Sequence, residues 1–160
     1  MLRKIAIPML TFALVAWGFA HRANADTTAD ITALEHKAAN SSNADEALSY
    51  LSDDVVIYDT WAPLQLVGSN AIRADFEAAY QNLKNPKVDF TSLPVIPAGN
   101  LAIAYSLQHL TATDKAGKAV DYTFRQTDVW RREKSGWKIV HSHISFPVDM
   151  ATGKPVLQSK

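Results

Sequence analysis

Carboxyl, amide and imidazole side chains interrupt two otherwise apolar strand patterns near the end of the chain. Alternate residues of the first strand share one face, namely Tyr122, Phe124, Gln126, Asp128 and Trp130. After a turn at Lys134-Ser135-Gly136, the same spacing puts a second row on one face of the partner strand: Trp137, Ile139, His141, His143 and Ser145. Rows that begin apolar and become polar are typical of a core that opens into a pocket. Carboxyl and imidazole groups in such a pocket could transfer protons.

Asp59 adds a third carboxyl group, at the end of a strand predicted over residues 55–58. With Trp61 above it and Phe76 and Tyr80 nearby, its carboxylate would be partly desolvated and would be a better base. The alternative is a turn aspartate that accepts hydrogen bonds from its own backbone. The sequence leaves both interpretations open.

Asp128 is predicted to point inward with the rest of its row. Burial close to Asp59 would raise its pKa and leave one neutral donor beside one charged base. The alternative is an Asp128 that pairs with Arg73, Arg125 or a histidine. The two arginines could instead bind an anionic substrate, although Arg125 alternates onto the opposite face from Asp128.

The three histidines His109, His141 and His143 could serve as bases, as metal ligands or as groups that shape the pocket. A His-x-His pair is a weak metal motif and the chain has no cysteine. We therefore expect neither a metal nor a cofactor, and we assign His143 an orienting role beside Asp59 and Asp128. The predicted substrate-binding residues are Tyr58, Trp61, Phe76, Tyr80, Tyr105, His109, Tyr122, Gln126 and His141.

Helical spacing precedes strand spacing along the chain. Apolar residues recur every three or four positions over residues 26–39, 44–51 and 72–83, and the period changes to two from residue 88. Helices followed by hairpin-linked strands predict an α+β fold, in which a curved antiparallel sheet wraps around N-terminal helices and forms a cone with an internal pocket. We expect one domain over residues 26–150 and a flexible tail over residues 151–160.

Residues 1–25 have the pattern of a signal peptide. A basic start at Arg3 and Lys4 precedes an apolar run over residues 5–19, and Ala23-Asn24-Ala25 is a small-x-small cleavage site. The alternative is an uncleaved anchor, but the run is shorter than the roughly 20 residues that span a bilayer. Cleavage after Ala25 predicts a secreted or periplasmic protein that is not bound to a membrane.

The charge of the remaining chain disfavours nucleic-acid partners. Cleavage leaves 13 Lys and Arg against 16 Asp and Glu, a net charge of −3, without a basic cluster. We expect a small-molecule ligand and a homodimer or higher homo-oligomer as partners.

The order of elements resembles the nuclear transport factor 2-like superfamily, which includes ketosteroid isomerases and SnoaL-like polyketide cyclases. Two local motifs extend the resemblance. One resembles the end of the association domain of calcium/calmodulin-dependent protein kinase II: Thr127-x-Val129-Trp130, Trp137 and Val140-His141-x-His143-x-Ser145. The other resembles the opening of ketosteroid isomerase: Asp53-Asp54, Asp59, Gly68 and Ile72-Arg73.

The resemblance to the isomerases implies roles for two carboxyl groups. Asp59 falls where those enzymes hold the aspartate that shuttles a proton next to a carbonyl, and Asp128 where they hold a protonated aspartate that donates to the oxyanion. Kinase association domains hold an arginine at position 128, which is also directed inward. The pattern departs at Glu35, where the isomerases hold a tyrosine, so Tyr58, Tyr105 or Tyr122 would have to reach in from the sheet.

Two functions follow from these patterns. The first is a cofactor-independent proton-transfer enzyme, an isomerase, cyclase, dehydratase or hydrolase, that acts on a small and largely apolar molecule. The second is a non-catalytic ligand-binding or homo-oligomerisation module. For the second function, the outer sheet face with Val129, Arg131, Val140 and Phe146 would form the homodimer.

Overall fold

The computed structural model describes the backbone of residues 11–158 and the side chains of residues 24–158. The helices of this part are α1 (Thr11–Ala39), α2 (Ala44–Ser49) and α3 (Ser69–Asn82). Its strands are β1 (Leu51–Tyr58), β2 (Leu66–Val67), β3 (Leu83–Ser92), β4 (Val95–Ala98), β5 (Leu101–Asp114), β6 (Ala119–Glu133) and β7 (Gly136–Ser145).

The strands form one curved, unclosed sheet in the order β2-β1-β7-β6-β5-β3, and β4 pairs with the first part of β5. Neighbouring strands are antiparallel, except that β1 and β7 run parallel. β5 and β6 are 14 and 15 residues long, and strands of that length must twist and bend. The predicted α+β architecture is confirmed.

Local sequence explains where α2 and α3 begin. The Asn43 side chain caps α2 by accepting a hydrogen bond from the backbone N of Glu46 at 2.9 Å, and Glu46 in turn accepts from the backbone N of Ser42 at 2.7 Å. Gly68 precedes α3 with a φ of +82°, a conformation that favours glycine. These two starts place α2 and α3 beside β1.

The core lies between the helices and the concave face of the sheet. Ile31 of α1 and Ile72 of α3 are completely buried, together with Val55 and Trp130 from the sheet. Leucines and isoleucines of α2, β1 and β7 complete the cluster. Trp130 is the largest completely buried side chain of this core.

The two faces of β5 are the reverse of the expected arrangement. The small residues Ala102, Ala104 and Ser106 face inward and are buried, whereas the large residues point outward: Leu101, Ile103, Tyr105 and Leu107. α1 packs over β4 and β5, and small side chains allow this close approach. Tyr105 and His109 consequently lie on the outer face and not in the pocket.

A β-bulge in β7 overturns the predicted alternation of that strand. Trp130 of β6 pairs with Ile139, but the preceding Val129 pairs with His141, so Val140 is an extra residue. One extra residue exchanges the two faces for the rest of the strand. His141 and His143 therefore point outward, and Ser142 takes the inward position.

The tail does not extend freely. Val148 and Pro155 form a β-bridge, and the backbone N of Thr123 in β6 donates to the carbonyl of Leu157 at 2.7 Å. These bonds connect residues 148–157 to one another and to the sheet.

The predicted leader is only partly covered by the structure. Its basic start lies outside the described residues, and α1 runs through the predicted cleavage position after Ala25. Within residues 11–158, no helix combines the length and the apolar character needed to span a bilayer.

Candidate active site

A cavity of about 190 Å³ lies between the helices and the concave face of the sheet. Most of its wall is alanine, leucine, isoleucine, valine and phenylalanine. The polar residues in the wall are Glu35, Asp59, Gln108, Gln126, Asp128 and Ser142. A small apolar cavity with a few convergent polar groups is the usual form of a ligand site.

Glu35 and Asp128 meet at the buried end of this cavity, and each is only 2 % exposed. Glu35 comes from α1, where its Oε1 accepts a hydrogen bond from the Trp130 indole Nε1 at 2.6 Å. Asp128 comes from β6 and accepts a hydrogen bond at Oδ2 from Gln126 Nε2 at 2.7 Å. Its Oδ1 is buried and has no hydrogen-bond partner within residues 24–158.

The contact between these two carboxyl groups keeps a proton in the site. Burial raises the pKa of Glu35 to about 9, and the adjacent Asp128 charge adds to the rise. Burial also raises the pKa of Asp128, although the neighbouring polar side chains of Ser142, Gln126 and Glu35 oppose the rise. A proton on Glu35 would supply the donor that Asp128 Oδ1 lacks. At neutral pH the pair therefore contains a neutral carboxylic acid.

A chain of amides orients Asp128. Gln108 Nε2 donates to the Ser106 hydroxyl oxygen at 2.9 Å and to Gln126 Oε1 at 3.2 Å. Because the Gln126 oxygen is used in this way, its amide NH₂ group faces Asp128. Asp128 is thus held as a hydrogen-bond acceptor at Oδ2.

Asp59 lies at the end of β1 and also lines the cavity. Its Oδ1 accepts hydrogen bonds from the backbone N of Thr60 at 2.5 Å and from the Thr60 hydroxyl at 3.2 Å. Both interpretations of this residue therefore describe part of what is seen: Asp59 caps its own turn, and it shares a cavity with Asp128.

The cavity gathers four of the twelve predicted site residues: Asp59, Phe76, Gln126 and Asp128. Tyr80 lines an adjoining cavity and donates its hydroxyl hydrogen bond to the Ser41 carbonyl at 2.9 Å. Trp61 and Tyr122 line a third groove next to α3. Burial raises the pKa of Tyr122, and the negative charge of Asp59 adds a smaller contribution to the rise.

The other five predicted site residues lie on the outer face of the sheet. Tyr58 packs against the His141 and His143 rings at centroid distances of 4.9 and 5.8 Å. His109 Nε2 is 2.9 Å from an Asp121 carboxyl oxygen, and Tyr105 is exposed. Among residues 24–158, no group of three or more His, Asp or Glu side chains is arranged to hold a metal ion.

The arginines considered as partners of Asp128 are engaged elsewhere or point away. Arg73 Nη1 pairs with Asp45 at 2.6 Å and with Glu77 at 3.5 Å on the surface of α3. Arg125 is exposed on the outer side of β6. Asp128 instead bonds to Gln126 and lies beside Glu35, and the nearby His141 opposes the rise that burial causes in its pKa, which agrees with the histidine alternative.

Sequence reasoning missed Glu35, Gln108 and Ser142 as site residues. Glu35 was identified only as a departure from the isomerase pattern. The small residues at alternate positions of β5 would have placed Gln108 inward, since they mark the side on which a helix packs. Ser142 could not have been found without knowledge of the bulge.

Comparison with known proteins identifies the family. The model of the SnoaL-like domain matches residues 29–149. The chain belongs to the SnoaL-like domain family. No curated protein sequence matches this SnoaL-like domain.

Solved structures place this SnoaL-like domain in the nuclear transport factor 2-like superfamily. A nuclear transport factor 2-like protein of unknown function from Pseudomonas putida KT2440 is 25% identical and has a TM-score of 0.75. The match covers 85% of this chain and 97% of the Pseudomonas chain. A candidate ketosteroid isomerase from Parabacteroides distasonis is 21% identical, with 73% and 85% coverage and a TM-score of 0.59. The association domain of the calcium/calmodulin-dependent kinase II of C. elegans is 18% identical, with 72% and 92% coverage and a TM-score of 0.61. The resemblance expected from the sequence is confirmed for the fold.

Proposed function

We propose that this SnoaL-like domain is a proton-transfer enzyme that acts on a small, neutral carbonyl compound and needs no cofactor. The observation that carries the proposal is the buried Glu35–Asp128 pair in a cavity that Asp59 also lines. A neutral acid and a separate carboxylate are the two groups that enolisation requires. The likeness to a candidate ketosteroid isomerase supports the same chemistry.

The proposed steps use only these carboxyl groups. Asp59 removes a proton from the carbon next to the substrate carbonyl, the electron pair of that C–H bond forms a C=C bond, and the π pair of the carbonyl group moves onto its oxygen. When the substrate binds, the Glu35 proton, which is directed at Asp128 in the unliganded protein, is donated to this oxygen as negative charge develops there. In a β,γ-unsaturated substrate the enolate is conjugated with the C=C bond, so Asp59 can return the proton to the γ carbon, and the product is the α,β-unsaturated isomer.

Hydrogen–deuterium exchange tests this step without knowledge of the natural substrate. The protein is incubated with cyclohexanone in D₂O, and loss of the protons next to the carbonyl is followed by proton NMR. We expect the protein to accelerate exchange and Asp59→Asn to slow it by about 100-fold or more. Asp121→Asn, which removes an exposed carboxylate outside the cavity, is the matched control.

The exchange experiment has two outcomes that contradict the proposal. One is a wild-type rate no higher than that of buffer. The other is an Asp59→Asn rate equal to that of Asp121→Asn, because the catalysed exchange would then not depend on Asp59.

The outer face of the sheet favours a second function, homo-oligomerisation. Leu101, Ile103, Tyr105 and Leu107 are between 37 and 45 % exposed on one side of β5. Ile103 pairs in register with Val129, and Tyr105 pairs with Thr127, so this apolar row continues across β6. A contiguous exposed apolar face of this kind usually marks a surface that a partner covers. The likeness to a kinase association domain supports a second copy of the chain as that partner.

Export is also part of the proposal. The basic start, the apolar run and Ala23-Asn24-Ala25 support cleavage after Ala25 and release into the periplasm or the medium. Intact-mass measurement of the protein recovered from those fractions should give a chain that begins at Asp26. A chain that retains Met1 and stays with the cells would contradict it.

A further inference from the structure

A second cavity of about 210 Å³ adjoins the first. The two cavities share five wall residues, which come from α1, α2, α3 and β3: Ala38, Ala39, Ala47, Phe76 and Val88. Three of the five are alanines, so little side-chain volume separates the chambers. We call the cavity with Glu35 and Asp128 the inner chamber and the one with Tyr80 the outer chamber.

The combined volume of the two chambers matches that of a small-ligand site. Sites for small organic ligands usually enclose roughly 300–1,000 Å³. Neither chamber reaches this size, whereas the two together do. Phe76, which is half-buried, lines both and stands at the junction.

The outer chamber suits hydrocarbon. The polar side chains in its wall already have partners within the protein. Tyr80 donates to the Ser41 carbonyl, the Asn40 amide both donates to and accepts from the backbone of Val88, and the Ser41 hydroxyl donates to carbonyls of α1. The rest of the wall is apolar, with Leu83, Pro86 and Leu110. A polar group placed there would lose its hydration without a new hydrogen bond.

The inner chamber suits a neutral oxygen. Its wall carries the acids Glu35, Asp59 and Asp128, and no lysine, arginine or histidine is among the described residues that line it. A carboxylate or phosphate would meet negative charge there and find no counter-ion. A carbonyl oxygen can accept the hydrogen bond of the Glu35 acid.

We infer that the ligand is an elongated neutral ketone, with its carbonyl group at Glu35 and Asp128 and a hydrocarbon chain that passes Phe76 into the outer chamber. This inference rests on the proposed function for the position of the carbonyl group. The elongated shape of the ligand and its hydrocarbon chain are inferred from the two cavities alone.

Isothermal titration calorimetry with methyl ketones, from butanone to undecan-2-one, tests the inference. Affinity should rise about fourfold for each CH₂ group that enters the outer chamber. Decanoate, which has a similar chain and a charged head, should bind at least tenfold more weakly than undecan-2-one. A flat series, or decanoate that binds as tightly as the ketone, would overturn the inference.

Two variants of α3 separate the outer chamber from the rest of the surface. Ala79 is exposed and lines the outer chamber, so Ala79→Phe should fill part of it and flatten the series for long ketones while butanone binds as before. Ala78→Phe, the same change at the neighbouring exposed position outside that chamber, should leave the series unchanged. Leu83→Ala enlarges the chamber and should extend the rise to longer ketones. Equal series for Ala79→Phe and Ala78→Phe would contradict the inference.

The two proposals fail in different experiments. If the protein exchanges cyclohexanone protons but its affinity for ketones does not depend on their length, the two-chamber ligand is rejected and the proton-transfer function stands. If the affinity rises steeply with the length of the ketone but no protons exchange, the catalytic function is rejected and an elongated binding site remains.

Discussion

The Trp130 indole donates a 2.6 Å hydrogen bond to Glu35 across 95 residues of chain, and both side chains are buried. The bond joins the first helix to the middle of the sheet. The bond occupies Glu35 Oε1, and Asp128 lies beside the same carboxyl group. A neutral acid is thereby held at the closed end of the cavity.

Glu35 should make the stability of the protein fall as pH rises. Its pKa is about 9 in the folded chain and 4.5 when unperturbed, so unfolding between these values releases a proton. The free energy of unfolding should therefore decrease with pH by up to about 1.4 kcal/mol per pH unit over that window. Urea denaturation at a series of pH values from 5 to 9 measures the slope.

Glu35→Gln is the matched variant for this measurement. Glutamine can accept from Trp130 and donate to Asp128, as the protonated glutamate does, but it cannot release a proton. The variant should lose much of the slope and exceed the wild type in stability at pH 9. The same slope in both proteins would show that Glu35 is not the group that titrates.

Trp130→Phe should destabilise the protein by at least about 2 kcal/mol, because it leaves Glu35 without its donor and creates a cavity in the core. Thermal or urea denaturation measures the loss. Trp61→Phe is the control, since Trp61 is 57 % exposed and the change should alter stability by less than about 0.5 kcal/mol. Equal losses in the two variants would contradict the role of Trp130.

His143→Ala should leave ketone exchange at the wild-type rate, because the bulge at Val140 turns His143 away from the cavity. Exchange in D₂O under the same conditions provides the measurement. A tenfold loss in His143→Ala would restore the catalytic role predicted from the sequence and would contradict the outward placement.

Ile103→Lys should convert an oligomer into monomers, because it places a charge in the middle of the outer apolar row. Leu64→Lys introduces the same charge at a loop leucine that is 93 % exposed and lies outside that face. Sedimentation velocity of the wild type and both variants gives the masses. A monomeric wild type, or an oligomer that survives Ile103→Lys, would exclude this face as the interface.

Much of the fold could be predicted from the sequence, because local periodicity carries it. Helical spacing marked the C-terminal half of α1, and period-two spacing marked β5 and β6. The inward position of Asp128 followed from alternation along β6. These features depend on residues that are near each other in the chain.

The faces of β5 and β7 could not be predicted in the same way. Large apolar residues on one side of β5 favour that side as the core, but α1 packs closely only against the small residues on the other. The Val140 bulge is a property of the pairing between β6 and β7, and the sequence of β7 alone does not mark it. The placements of Tyr105, His109, His141 and His143 were wrong for these two reasons.

The role of Glu35 depends on contacts between distant segments. A glutamate on a helix is usually exposed, and only the positions of Trp130 and Asp128 make this one a buried acid. The sequence comparison located the position but predicted a missing donor. In the structure the position where the isomerases hold a tyrosine carries a buried carboxyl group, and burial raises its pKa to about 9.

The most direct test of this account is the pKa of Glu35, measured by carbon-detected NMR titration of the side-chain carboxyl groups in the wild type and in Glu35→Gln. One carboxyl resonance should titrate near pH 9 in the wild type and be absent from the variant. If every carboxyl group titrates below about pH 5, within the ordinary range of Asp and Glu, the site holds no neutral acid and the proposed chemistry is wrong.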